Sequence, residues 1–141
     1  MDKKKQVVAF GIIEMPGPEK RFMVVTDRDR PEPRLLKFPG GTAEIGENAS
    51  EALFREMFEE TCVNIFLDIK LVAEFDLNSH VVMFFFGRHY SGEPRPNNEV
   101  ADLLLLTAGQ IRAMISAGKF LRRHAQAFEK FVEIINGQVV A

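Results

Sequence analysis

Apolar residues in this chain gather in short, strand-sized blocks separated by turn-forming stretches, until the last third changes to helical spacing. Gln6–Glu14 and Arg21–Asp27 are rich in Val, Ile and Phe. Met15–Lys20 between them holds two prolines and a glycine, so the pattern predicts two strands joined by a turn. The polar, proline-broken segment Thr26–Arg34 reads as an exposed loop before a short strand at Leu35–Phe38. Asn48–Thr61 then has the marks of a helix: Asn48 as N-cap, Glu51 three residues later as in a capping box, and Ala, Leu, Glu, Arg and Met inside. Ile69–Leu77 and His80–Tyr90 read as two strands joined at Asn78 and Ser79, the second of them apolar on both faces and therefore central. After a loop at Ser91–Asn98, Val100–Leu106 is a further strand. Thr107 caps a helix to about Ala117. Phe120–Ile135 repeats its apolar residues at three and four positions, with Asn136 and Gly137 expected to stop it. Strands, a central helix, more strands and terminal helices predict a mixed sheet flanked by helices, class α+β.

Composition narrows the partners. The chain has 141 residues, the usual size of one domain, so residues 1–141 are expected to form a single unit. Eighteen basic against twenty acidic residues leave a net charge of -2, which offers no footprint for a nucleic-acid polymer or an anionic membrane. No apolar run is long enough to span a bilayer or serve as a signal peptide, and the lone Cys62 forms no internal disulfide; a cytoplasmic location is expected. The near-neutral total hides an asymmetry. Glu44–Glu60 holds six of the acids and only Arg55 among the bases, a net -5, so the remainder carries +3.

That acidic stretch carries the candidate chemistry. At about 100° per residue, Glu59 and Glu60 lie about 60° and 40° to either side of Glu56, so the three carboxylates share one narrow face. Like charges at this spacing cost a helix a few tenths of a kcal/mol per pair, and the macrodipole disfavours anions near the C-terminal end. A bound cation reverses both effects, and clustered hard oxygen donors suit Mg²⁺ or Mn²⁺. A solvated helix face is the other reading of the same charges. Arg55, with Glu51 four residues before and Glu59 four after, is placed to orient a carboxylate. The opposite face, centred between Met57 and Phe54 with Leu53 and Phe58 on its flanks, is expected to pack on the sheet. Gly40, Gly41 and Gly46 permit turns closed to other residues, and the first two let main-chain carbonyls approach the same ions. Arg28, Arg30 and Arg34 in the preceding loop either meet a phosphate or belong to a solvated surface. Phe84, Phe86 and Arg88 alternate on one strand face, where they either contact a base and phosphate or, for the phenylalanines, fill the core.

The segment Phe38–Val63 as a whole resembles the Nudix box. In that motif a glycine is followed after five residues by Glu, and after seven more by Arg-Glu, an aliphatic residue, any residue, Glu-Glu, any residue, Gly and an aliphatic residue. The matching positions here are Gly41, Glu47, Arg55, Glu56, Met57, Glu59, Glu60 and Val63. Cys62 stands where the box has a glycine that ends the helix in a left-handed conformation, so a cost of about 1 kcal/mol or a shifted helix end is expected. The resemblance implies a Nudix-like α/β/α sandwich and a pyrophosphohydrolase that cleaves a nucleoside diphosphate linked to another moiety. It implies Mg²⁺ or Mn²⁺ held by Glu56, Glu59, Glu60 and the Gly40 carbonyl, with Arg55 among the catalytic residues. The general base of the family is a box glutamate or a glutamate in a later loop, where Glu99 stands; Glu99 is equally a surface residue entering a strand. No proline lies between Pro39 and Pro94, and Tyr90 is the only tyrosine, so the markers of ADP-ribose and dinucleoside polyphosphate hydrolases are missing. Elimination leaves a nucleoside triphosphate or similar small nucleotide as substrate. ADP-ribose, nucleotide sugars, dinucleoside polyphosphates and an inactive nucleotide-sensing module are the alternatives. Dimers are frequent in the family; the apolar tail Gln138–Ala141 either serves one, or Gly137–Ala141 frays.

Overall fold

A computed structural model describes residues 5–140, and the side chains of residues 5–137. Seven strands form one mixed sheet, and three helices cover its two faces. At its centre β1 (Gln6–Met15) and β6 (His80–Ser91) run parallel, paired from Gln6 with His80 to Glu14 with Arg88. This buried pair explains the continuous apolar run in β6. The outer edge of each central strand is shared by two partners. β4 (Asn64–Ile65) and β5 (Lys70–Asp76) divide the free edge of β6. On the other side, β2 (Arg21–Asp27) touches β1 only at Glu14–Phe22 and Met15–Arg21 before leaving to pair with β7 (Val100–Thr107).

The fork between β1 and β2 is filled by residues 36–42. Lys37 exchanges both backbone hydrogen bonds with Val25 of β2, and β3 (Gly40–Thr42) pairs with Val8–Phe10 of β1. The strand expected at Leu35–Phe38 is therefore reduced to two bridging residues, and the regular pairing falls on the glycines after it. Sequence pattern could not show this, because Gly40 and Gly41 have poor strand propensity and are used here for close approach. The two-residue β4 is likewise too short for any periodicity.

Two apolar cores flank the sheet. Ile12, Phe22, Val24, Val82 and Phe84 pack under α2 (Ala108–Ser116) and α3 (Arg122–Val140), while Ala9, Ile13, Met23 and Phe85 pack under α1 (Ala49–Thr61). The molecule is an α/β/α sandwich, as the resemblance implies. Both capping boxes form, Asn48 with Glu51 and Thr107 with Gln110. α3 does not stop at Asn136 and Gly137 but runs through both to Val140. An isolated glycine costs a helix interior about 1 kcal/mol and ends it only when the chain turns there. α3 also begins two residues later than expected, because Phe120 bridges to Leu36 instead of joining the helix. The side chains of residues 138–141, on which the dimer expectation rests, lie outside those described. Among the described residues, no helix is long and apolar enough to cross a membrane.

Candidate active site

α1 buries Leu53 and Met57 completely, as its apolar face requires, but Phe58 is turned outward and Glu60 inward. Glu60 is only 5% exposed. The three carboxylates are thus graded from the core edge outward, Glu60 buried, Glu56 nearly so and Glu59 almost half open. This rules out a freely solvated face. Gly40 is the partner that makes the burial of Glu60 tolerable: its N–H donates to Glu60 Oε1 at 3.0 Å. Gly40 has φ +146°, and a Cβ there would lie 2.0 Å from the Ala9 carbonyl oxygen. Gly41 is needed for a different reason, since a Cβ would stand 2.7 Å from the Glu56 carboxyl carbon. Only a backbone without side chains can lie this close to the acidic face.

Arg55 gathers the acids from the solvent side. Its Nε and Nη2 hold Glu47 at 2.8 and 2.9 Å, the two-point geometry in which a guanidinium fits a carboxylate. Nη1 reaches Glu56 at 3.0 Å and Glu59 at 3.1 Å, and Nη2 also donates to the Thr42 carbonyl at 3.1 Å. The partner expected four residues before Arg55 is not used, because Glu51 is committed to the capping box. Glu47, eight residues before Arg55, takes its place through the loop at Gly46. Hydrogen bonding to Arg55 lowers the Glu47 carboxyl to about 2. Burial raises Glu56, against the opposing effect of Arg55. Burial also pushes Glu60 up to about 8, against the Gly40 N–H and the charge of Lys37.

The loop before β7 completes the helix end. The Asn97 amide side chain donates to the Glu59 carbonyl, while the Asn97 and Arg95 backbone N–H groups donate to those of Glu60 and Thr61. These carbonyls have no partner within the helix, so the loop fixes the backbone under the acids. Cys62 takes the left-handed conformation itself, φ 63° and ψ 19°, and the helix ends where glycine would have ended it. Cys62→Gly is expected to relieve about 1 kcal/mol of strain and raise the melting temperature by about 3 °C, readable by calorimetry. No gain would mean that the Arg95 contact to the sulfur, at 3.5 Å, offsets the strain.

Beside the acids, a cavity of about 360 Å³ is walled by Val8, Phe10, Leu77, Val82, Leu121 and His124. Lys37, itself buried, lies between the two: its ammonium stands 4.9 Å from the Phe10 ring centre and pairs with Asp27 at 3.3 Å. Phe38 N–H donates to His124 of the cavity at 2.9 Å, and Gly40 N–H, two residues on, to Glu60. Two residues of chain span at most about 7 Å, so with the hydrogen bond at each end His124 Nδ1 and Glu60 Oε1 lie within about 13 Å of each other.

Glu99 is exposed at the mouth of the β6–β7 loop, two residues beyond Asn97, with its carbonyl accepting from Arg28 N–H. Arg28 is exposed beside it. Phe84 is fully buried and edge-on to His124, behind the cavity wall. Phe86 and Arg88 are not brought to this place. They line a separate groove with Lys20 and Lys70, where Arg88 pairs with Glu14, four residues further along β1 than the Phe10–Gly40 contact. Alternation along β6 put the three on one face but could not show that the strand is long enough to divide them. Lys37, Asn97 and His124 carried weak signals only: a lysine inside an apolar run, an asparagine in a loop, and a histidine in the apolar stripe of α3.

Among the described residues, no set of three His, Cys, Asp or Glu side chains is gathered closely enough to hold a metal ion by itself. Arg55 occupies Glu56 and Glu59 instead. The donors nevertheless fit a hard divalent cation, because Glu56 and Glu60 form a buried acidic pair whose charged state its neighbours do not fully compensate.

The NUDIX domain family matches residues 5–129, and the chain belongs to this family of hydrolases, which act on phosphoric anhydride bonds. It is 33% identical over 94 residues to the 8-oxo-dGTP diphosphatase of Escherichia coli (strain K12), spanning 64% of this chain and 72% of that protein. Among solved structures, a NUDIX hydrolase from Nitrosomonas europaea superposes with a TM-score of 0.75 at 21% identity, covering 92% of this chain and 90% of that one. The NUDIX domain of Shewanella oneidensis NrtR, solved with ADP ribose, gives 0.76 at 15% identity over 95% and 90% of the two chains.

Proposed function

We propose that the protein is a metal-dependent pyrophosphohydrolase of nucleoside triphosphates or similar small nucleotides, releasing a nucleoside monophosphate and pyrophosphate by addition of water. The observation that carries this is the strip Phe38–Gly40, which joins a largely apolar cavity walled by Phe10 and His124 to a buried carboxylate pair across two residues. One nucleotide spans both. Glu56, Glu59 and Glu60, with the Gly40 carbonyl, are the residues that would hold Mg²⁺ or Mn²⁺. When bound, the ion neutralises the phosphate oxygens and acidifies water. Arg55 orients Glu56 and Glu59, and Arg55 together with Asn97 keeps the acids from drifting as their charge changes. Lys37 places a buried positive charge between cavity and carboxylates, where the sugar-phosphate of a nucleotide would cross. Glu59 and Glu99 are the open carboxylates able to take a proton from water.

Incubation with nucleoside triphosphates, ADP-ribose, dinucleoside polyphosphates and nucleotide sugars, with and without Mg²⁺, tests the reading. Pyrophosphate release from triphosphates, abolished by chelator, is expected. Silence on every substrate would favour a nucleotide-sensing module instead.

A further inference from the structure

The cavity beside the carboxylates contains one polar side chain that is almost wholly buried, His124, 4% exposed. The other polar residues lining it, His80, Arg122 and Arg123, are half or fully open to solvent. His124 is held on three sides by aromatic rings, with centroids at 4.4 Å from Phe10, 4.8 Å from Phe84 and 6.0 Å from Phe38. Its tautomer is set by the backbone. Phe38 N–H donates to Nδ1 at 2.9 Å, so Nδ1 carries no proton and the ring hydrogen sits on Nε2. Among the described residues nothing accepts from Nε2. Arg34 Nε is the one buried side-chain nitrogen or oxygen without a partner among the described residues, so Nε2–H is open to the cavity, and a ligand that displaces water there must supply its acceptor. Burial and the charges of Lys37 and Arg30 hold the imidazole well below its usual titration range, so it stays neutral and cannot reverse its role.

Resting on the nucleotide reading above, we infer that His124 is a specificity-determining residue whose Nε2–H reads a carbonyl oxygen on the bound base, so that the site takes oxo bases in preference to their amino counterparts. A 6-oxopurine or 4-oxopyrimidine presents an acceptor where adenine or cytosine presents an amino group. An amino group meeting Nε2–H sets donor against donor and leaves both unpaired. Sites that hydrogen-bond a substrate group discriminate strongly against analogues lacking it, because the site's own group is then stranded.

The test is the ratio of kcat/KM within each pair, ITP against ATP and UTP against CTP, with Mg²⁺. The oxo member is expected to be favoured about tenfold or more in the wild type. In His124→Phe, which keeps an aromatic ring but has no donor, each ratio should fall to about one. That variant also strands Phe38 N–H and loses stability, but a ratio taken within one preparation does not depend on how much of it is folded. A second readout needs neither metal nor turnover. In protein labelled with ¹⁵N-histidine, the Nε2–H resonance of His124, assigned by its loss in the variant, should move on adding IMP and stay on adding AMP. Equal rates within each pair, an unchanged preference in His124→Phe, or an Nε2–H signal indifferent to IMP would each overturn the assignment. Absence of all triphosphate turnover would instead count against the hydrolase reading, while the resonance still decides what His124 does.

Discussion

Glu59→Gln is expected to lower kcat/KM by about 10² to 10⁴ while leaving the melting temperature within a degree or so of the parent. The two halves of that expectation come from different parts of the structure. Glu59 is the most open of the three acids on α1, with its carboxylate 44% exposed, and its side chain supports no packing. Its backbone is held independently, by Asn97 on the carbonyl, and that bond survives the substitution. Glutamine keeps the length and one oxygen, so the contact from Arg55 Nη1 at 3.1 Å has an acceptor still. What disappears is a negative charge and a site able to accept a proton, which are the two properties proposed for Glu59. Unchanged turnover would remove it from the site. Glu99→Gln completes the comparison, since Glu99 also contributes to its surroundings through a backbone carbonyl that the substitution leaves intact. If Glu99 takes the proton from water, its variant should lose turnover with little change in KM; if it is a surface residue, nothing should change.

The fold was readable wherever apolar periodicity was long. β1, β2, β5, β6, β7, α1 and α2 stand close to their expected limits, and α3 was placed but not bounded, because each buries a face whose period the sequence repeats. What escaped was the fork, in which the chain from Leu36 to Thr42 is held by bridges to three different elements and not by a face of its own. The acids on α1 were visible from spacing alone. Their order of burial was not, because it depends on a rotation of the helix that turns Phe58 outward and Glu60 inward, and either residue could have occupied the core edge by hydrophobic pattern. His124 was absorbed into an apolar stripe for the same reason. A polar residue on a buried face acquires meaning only when its partner is known, and Phe38 N–H is eighty-six residues away along the chain.

In chelator, the protein is expected to lose thermal stability as pH rises from about 6.5 to about 8, and Mg²⁺ is expected to restore it most at the alkaline end. The sign follows from Glu60. Its carboxyl has an ordinary value of 4.5 and is pushed up to about 8 in the fold, chiefly by burial. Between those limits the folded chain keeps a proton that the unfolded chain has released, so each step up in pH favours unfolding. Glu56, raised in the same direction, adds to the trend. Glu47 works oppositely but elsewhere, since a carboxyl lowered to about 2 contributes stability above 4.5 and loses it only as pH falls from 4.5 toward 2. His124 opposes Glu60 over the lower half of the range, because burial keeps it neutral in the fold while the unfolded chain takes up a proton there below about 6.5, so the net decline of the metal-free molecule should be clear only above that pH. A divalent cation supplies the positive charge that the proton otherwise brings, so its stabilising effect should be small at pH 5 and large at pH 8. Melting curves across this range, with EDTA and with MgCl₂, measure both slopes. In Glu60→Gln the amide oxygen still accepts from Gly40 N–H, no charge has to be buried, and most of the alkaline decline should vanish together with most of the Mg²⁺ response. A variant that declined as steeply as the parent would show that the buried acid on α1 is not what couples folding to protons and metal.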